Sequence, residues 1–229
     1  MSDSLQENLN ELQKLAPAEY IARSYATLAN NDQVLKLIRE VKGNGLKSRL
    51  KACMPGAGQW KEFEVICFEL VKLTLEESEF LECKARDQIT SNNVTFGIKK
   101  VRKDIVIPLK PRAINGGSIW DTFRSNPYNC EYLIFDAKNY SAEITHKEIY
   151  QMYHYLGPKK GKVGIIFSRK YLCDESAKAA LIRIRADYYM VLVLNDKKIE
   201  EWINEYIEKG NVRTYFTSLK TEYDQSFID

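Results

Sequence analysis

Hydrophobic spacing divides the chain into a helical first part and an alternating second part. In residues 1–50, apolar positions recur every three or four residues, as in amphipathic helices, within LQENLNELQKL, AEYIARSYATLA and DQVLKLIREVK. Pro17 and the stretches NND and KGNG are predicted to separate these helices. A predicted linker, MPGAGQ, follows at 54–59. We therefore interpret residues 1–55 as a helical N-terminal region.

The second part predicts an α/β domain over residues 56–210, followed by a polar tail at 211–229. Its predicted helices cover about 59–75, 143–156, 174–186 and 197–209. Its predicted strands cover about 79–86, 101–108, 131–140, 162–168 and 188–194. This order of elements predicts a mixed central sheet with helices on its faces.

The predicted strand at 131–140 ends in two charged residues. Side chains two positions apart share a face of a strand, so Asp136 and Lys138 are predicted to point the same way as Ile134. Both faces are apolar in the middle of the strand, which indicates an interior strand. A charge at its end must be close to solvent, paired or bound to a metal. For an isolated D-x-K motif, a strand-end ion pair between Asp136 and Lys138 is the better explanation, and a reactive site requires further residues nearby.

Two further acids interrupt apolar segments. Asp104 precedes three apolar strand residues, and it can converge with Asp136 if the two strands are neighbours. Two carboxylates in one small space repel each other, and a divalent cation such as Mg²⁺ removes that repulsion. Glu64 lies in the apolar stripe of the helix at 59–75, where a carboxylate needs a partner. A buried salt bridge and a ligand role are both open for Glu64.

Four motifs occur in an order that resembles the PD-(D/E)xK nuclease superfamily. They are an acid in a helix (Glu64), an acid on a strand (Asp104), D-x-K (Asp136, Lys138) and Q-x-x-x-Y on a helix (Gln151, Tyr155). Gln151 and Tyr155 are four apart and share a helix face, which we predict to lie off the apolar stripe. GQWKEFEVICFELV and the segments VGIIFSRKYLCDESAKAA and YYMVLVLNDKKIEEWI resemble the Mrr-type restriction endonuclease and archaeal Holliday-junction-resolvase branch.

The resemblance covers about residues 57–210 and departs from the family pattern in two places. Lys103 stands where the family has a proline before the first acid. The loop at 109–129 also makes the gap between Asp104 and Asp136 long.

The resemblance implies a restriction-endonuclease-like fold and a Mg²⁺-dependent endodeoxyribonuclease, in which Mn²⁺ can replace Mg²⁺. The implied metal ligands are Asp104, Asp136 and Glu64. Lys138 is implied to orient the attacking water and to offset charge on the phosphate, and Gln151 to assist it. The products would carry a 5′-phosphate and a 3′-hydroxyl.

Candidate contacts to nucleic acid come from Tyr155, from the long loop and from a strand end. The loop at 109–129 carries basic residues and an aromatic, which suit backbone contact and base stacking; they are Lys110, Arg112, Trp120 and Arg124. A flexible surface insertion is the alternative for this loop. Arg169, at the end of the strand at 162–168, is a candidate phosphate contact or an ordinary surface arginine.

Composition excludes several other classes of protein. The five cysteines include no C-x-x-C and are odd in number, which disfavours disulfides and structural zinc and indicates a reducing compartment, the cytoplasm. Two histidines supply no His-rich metal site. No apolar run reaches the ~18 residues of a membrane span, and the N-terminus has no secretory pattern. The net charge of +3 is a weak preference for acidic partners.

Three functions follow from these patterns. The first is a DNA endonuclease of restriction or phage defence, with RNA left open as a substrate. The second is a structure-specific nuclease of repair or recombination, which would favour a homodimer. The third is a nucleic-acid-binding or assembly module with an inactive site. Three roles are open for the N-terminal helices: dimerisation, sensing of an activator and contact with a partner subunit.

Overall fold

The computed structural model describes residues 32–76, 84–85, 105–109, 118–157, 160–170 and 175–226. The helices in this part are α1 (Asp32–Ala52), α2 (Trp60–Val71), α3 (Ile119–Arg124), α4 (His146–Tyr155), α5 (Glu175–Ala186), α6 (Asp196–Lys209) and α7 (Arg213–Gln225). The strands are β1 (Lys84–Ala85), β2 (Ile105–Pro108), β3 (Tyr132–Lys138), β4 (Val163–Ser168) and β5 (Met190–Leu194). None of these helices is long and apolar enough to cross a membrane.

The five described strands form one mixed sheet in the order β1-β2-β3-β4-β5. β1 and β2 pair antiparallel, as do β2 and β3, and Ile105 lies opposite Phe135. β3, β4 and β5 run parallel. The predicted mixed α/β fold, with helices on both faces of a central sheet, is confirmed, and so is the interior position of the strand that carries D-x-K.

Two apolar layers cover the two faces of the sheet, because the side chains of each strand alternate between them. Phe135 and Phe167 stack at 5.6 Å between ring centroids on one face, where α1, α2, α6 and α7 pack. Ile134 and Ile166 lie on the other face with residues of α4 and α5. Trp202 of α6 is fully buried in the first layer.

Helix α1 continues through the KGNG stretch that was predicted to end it. Gly43 faces α6, where a Cβ atom on Gly43 would lie 2.7 Å from side-chain carbons of Ile207. A Cβ atom on Gly45 would have no neighbouring atom within 4 Å. The glycine at 43 therefore permits a close approach of two helices, which sequence spacing does not reveal.

Alanine substitutions at these two glycines should have opposite effects on stability. Gly45→Ala is expected to raise the free energy of unfolding by about 0.5–1 kcal/mol, because alanine favours the helix. Gly43→Ala is expected to lower it by about 1 kcal/mol, because overpacking costs about 1–3 kcal/mol and exceeds the helix gain. Urea unfolding of both variants measures the difference. Equal stabilisation by both would contradict the close approach of α1 and α6.

The predicted polar tail is wrong over the described residues, since α7 occupies 213–225. Its residues at helical spacing are buried in the first apolar layer; they are Tyr215, Phe216, Leu219 and Tyr223.

The predicted long loop at 109–129 also contains structure, namely helix α3, whose first turn is capped by Ser118 and Asp121. Trp120 is 3% exposed, and its ring lies 5.0 Å from that of Phe216. The prediction that Trp120 stacks on bases is therefore wrong, because its ring belongs to the core.

Candidate functional site

Buried polar side chains collect at the carboxyl ends of the neighbouring parallel strands β3 and β4. Of the six buried polar or charged residues in the described part, five lie there; they are Asp136, Lys138, Asn139, Ser168 and Arg169. Burying such groups costs free energy unless they are paired. Open α/β sheets place their ligands at the carboxyl ends of strands, so this end of the sheet is the candidate site.

Asp136 and Lys138 form a buried ion pair at the end of β3. Asp136 is 2% exposed, and the Lys138 Nζ atom lies 2.8 Å from its Oδ2 atom. In the register with β4, Asp136 lies beside Ile166 and Lys138 beside Ser168. The alternation predicted from the sequence therefore holds, and both charged groups share the face that α4 covers.

The first turn of α4 contributes a second carboxylate near Lys138. A capping box begins the helix, in which the Thr145 backbone N–H and hydroxyl donate to Glu148 Oε2 at 2.9 and 2.7 Å. Burial raises the pKa of Glu148, but these hydrogen bonds and the charge of Lys138 outweigh burial and lower it. Glu148 therefore stays ionised at neutral pH and favours the charged form of Lys138. The sequence signal for Glu148 is the T-x-x-E capping box, which predicts the start of a helix but not its proximity to Lys138.

Gln151 and Tyr155 interact with each other on α4. The Gln151 side-chain amide donates to the Tyr155 hydroxyl. Gln151 is exposed, whereas Tyr155 is 7% exposed and belongs to the apolar layer that contains Ile134. The prediction that both residues lie off the apolar stripe is therefore wrong for Tyr155.

Arg169 lies on the opposite face of the sheet from the ion pair and is 9% exposed. Its guanidinium donates to the carbonyl oxygens of Leu50 at 3.2 Å and Cys53 at 2.6 Å. It also donates to Asn139 Oδ1 at 3.3 Å and to Asp196 at 3.0 Å. The prediction of a surface arginine is wrong, because Arg169 joins α1, β3 and α6 within the core.

Asn139 ties the linker after α1 to the end of β3. Its side-chain amide donates to the carbonyl oxygens of Met54 at 3.0 Å and Gly56 at 2.9 Å. The Gly56 backbone N–H donates to the Asn139 carbonyl at 2.7 Å. Because Asn139 follows Lys138 directly, this network fixes the backbone next to the ion pair. Sequence reasoning missed Asn139, since its partners are more than 80 residues away.

The remaining predicted site residues fall into two groups. Glu64 is half-buried on α2, one residue after the fully buried Phe63, and Arg124 is half-buried at the end of α3. Asp104, Lys110 and Arg112 lie outside the described residues. The roles predicted for all five stay predictions.

Asp136 supplies a hard oxygen donor at this strand end. Among the described residues, no three His, Cys, Asp or Glu side chains are grouped so that they could hold a metal ion. Mg²⁺ usually takes one or two carboxylates and keeps several waters. Asp136 therefore fits such an ion. A site with three acidic ligands would also have to draw on residues outside the described part.

Comparisons with known proteins give one structural similarity. No protein-family model matches the sequence, and no curated protein matches it. The structure of the restriction endonuclease FokI bound to DNA is similar with a TM-score of 0.40 and 14% identity. The similarity covers 75% of this chain and 31% of that one, so the chain spans less than a third of its length. The Mrr-type branch stays a prediction.

Proposed function

We propose that this protein is a metal-dependent endonuclease that hydrolyses DNA phosphodiester bonds. The observation that carries the proposal is the buried Asp136–Lys138 pair at the carboxyl end of the interior strand β3. A buried ion pair is often no more stabilising than apolar residues of the same volume. Its position at the end of a strand, in the D-x-K spacing of the nuclease family, is better explained by chemistry than by stability.

Three carboxylates are proposed to hold the metal, namely Asp136, Asp104 and Glu64. Asp104 is bonded to Ile105, which pairs with Phe135, so we propose that Asp104 meets Asp136 across the two strands. When bound, a divalent cation lowers the pKa of a coordinated water and neutralises charge on the phosphate.

Lys138 is proposed to orient the attacking water and to offset the negative charge that develops on the phosphate. Its ammonium is available as a cation because Asp136 and Glu148 both favour the charged form. The same pairing holds the side chain in one position before substrate binds, which reduces the cost of ordering it during the reaction.

Gln151 is proposed to contact the phosphate backbone from α4, with its amide held by the Tyr155 hydroxyl. Lys110, Arg112 and Arg124 are proposed to contact the DNA outside the reacting phosphate. In this proposal Arg169 is structural, because its guanidinium is bonded to protein groups.

Cleavage of plasmid DNA tests the proposal directly. The wild-type protein is expected to convert supercoiled plasmid to nicked and linear forms with Mg²⁺ and to leave it intact with EDTA. Glu64→Gln is expected to lower the cleavage rate by roughly 10- to 100-fold, the range for weakened metal sites.

Glu62→Gln is the matched control on the same helix. Glu62 forms an exposed ion pair with Arg49, and such pairs contribute only about 0–1 kcal/mol. This variant should therefore cleave at the wild-type rate. Folded wild-type protein that cleaves neither DNA nor RNA would contradict the proposed function and favour a binding module.

A further inference from the structure

Tyrosines and basic side chains form a second polar cluster at the opposite end of the sheet from Asp136. Tyr128 lies shortly before β3, Lys162 immediately before β4, and Tyr188 and Tyr189 immediately before β5 in the chain. These tyrosines line a cleft of about 230 Å³, which we call the tyrosine cleft. Its lining residues are Tyr128, Arg185, Tyr188, Tyr189, Tyr223 and Asp224.

Cations lie over the rings of this cleft. Lys162 Nζ is 5.6 Å from the ring centroid of Tyr188 and 5.3 Å from that of Tyr189. Arg185 lies 5.9 Å from the ring of Tyr223. Charges at this distance are attracted by the faces of aromatic rings. Positively charged side chains and aromatic rings therefore lie next to one another on this part of the surface.

Lys220 adds positive charge beside the cleft. The Lys220 Nζ atom lies 5.8 Å from the ring centroid of Tyr128. The cluster thus has three cations, Lys162, Arg185 and Lys220. Asp187 and Asp224 lie near these cations, and Lys220 forms an ion pair with Asp224. The excess of positive charge favours an anionic partner.

Tyr188 presents its ring to solvent from a strained backbone. It is 61% exposed and has φ = 62°, a left-handed conformation that bulky side chains seldom adopt. Its backbone N–H donates to the Arg185 carbonyl at 2.8 Å, which holds the turn between α5 and β5. Strain of this kind at an exposed aromatic residue is typical of functional positions.

We infer that the tyrosine cleft binds single-stranded nucleic acid, with a base stacked on Tyr188 and phosphates at Lys162 and Arg185. Exposed aromatic rings combined with basic side chains are the means by which proteins bind single strands without reading sequence. The cleft lies at the amino ends of the strands, whereas the proposed hydrolytic site lies at their carboxyl ends. It is therefore a separate surface, and it does not depend on the proposed function.

Fluorescence anisotropy with a labelled oligothymidylate of roughly 16 nucleotides, measured in EDTA so that no cleavage occurs, tests this inference. Tyr188→Ala is expected to weaken binding roughly 5- to 150-fold, the range for loss of one stacking aromatic. Tyr188→Phe should bind as the wild type does. Lys162→Gln should reduce the slope of log affinity against log salt by about 0.7, the effect of one phosphate contact.

Ile182→Ala is the matched control, because Ile182 is similarly exposed at 60% on the adjoining helix α5. It should leave binding unchanged. Equal binding by wild type and Tyr188→Ala, or no binding by folded wild type, would overturn the inference. Binding of polyglutamate with the same dependence on Tyr188 would assign the cleft to an acidic polypeptide instead. Failure of plasmid cleavage alone would leave these binding results intact.

Discussion

Asp136→Asn is expected to abolish Mg²⁺-dependent cleavage and to destabilise the protein. Asparagine keeps the size of the side chain but removes the charge that neutralises Lys138. Removing one partner of a buried ion pair costs about 3–5 kcal/mol of stability. Loss of a metal-binding carboxylate should lower cleavage by more than about 100-fold, beyond the effect of removing a supporting residue. Plasmid cleavage and urea unfolding measure the two effects.

A double variant separates the chemical role of this pair from its structural role. In Asp136→Asn combined with Lys138→Met, no buried charge is left without a partner, so stability should return to within about 1 kcal/mol of wild type. Cleavage should not return. Asp187→Asn, an exposed acid on a turn, should change neither property. Cleavage by a well-folded Asp136→Asn variant would remove Asp136 from the mechanism.

The sheet and the D-x-K pair could be predicted because they depend on short-range periodicity. Successive side chains of β3 point into the two apolar layers in turn. The same two-residue period places Asp136 and Lys138 on one face, independently of the surrounding elements. The neighbour relation between β2 and β3, on which the convergence of Asp104 and Asp136 depends, is also present in the structure.

Features that depend on contacts between distant segments could not be predicted in this way. Glycine usually destabilises a helix, but the role of Gly43 depends on its close approach to Ile207 on another helix. Tyr155 has a polar hydroxyl and lies at the edge of the apolar stripe of its helix. Whether it is buried depends on the elements packed against the helix, which the helix pattern alone does not specify. The apolar residues of α7 recur at helical spacing, but the many polar residues between them are typical of an unstructured tail.

Arg169 is the strongest case of such a long-range contact. Its partner Leu50 is 119 residues away, and Asp196 belongs to a helix beyond the next strand. Nothing local distinguishes Arg169 from a surface arginine at a strand end. In the structure, the guanidinium of Arg169 bonds to the end of α1, to the residue after Lys138 and to the start of α6. Among the side chains, only the planar, multi-donor guanidinium of arginine provides this geometry.

Arg169→Met is therefore expected to lower the free energy of unfolding by about 3–5 kcal/mol. It leaves Asp196 and two carbonyl oxygens without their cationic donor. Burial raises the pKa of Asp196 while Arg169 opposes that rise, so the variant should raise it further. A raised folded pKa favours the folded state at low pH. The deficit should therefore be largest at neutral pH and should shrink as the pH falls through the raised pKa of Asp196 in the variant, towards the ordinary value of about 4. Urea unfolding across pH measures both effects.

Two further variants show whether geometry or charge explains this effect. Arg169→Lys keeps the charge, but one ammonium cannot span Asp196 and both carbonyl oxygens, so it should recover only part of the lost stability. Arg183→Met, on the exposed side of α5, should change stability by less than about 0.5 kcal/mol. Full recovery by lysine would mean that charge alone holds the three elements together. A pH-independent deficit would mean that Asp196 has no share in it.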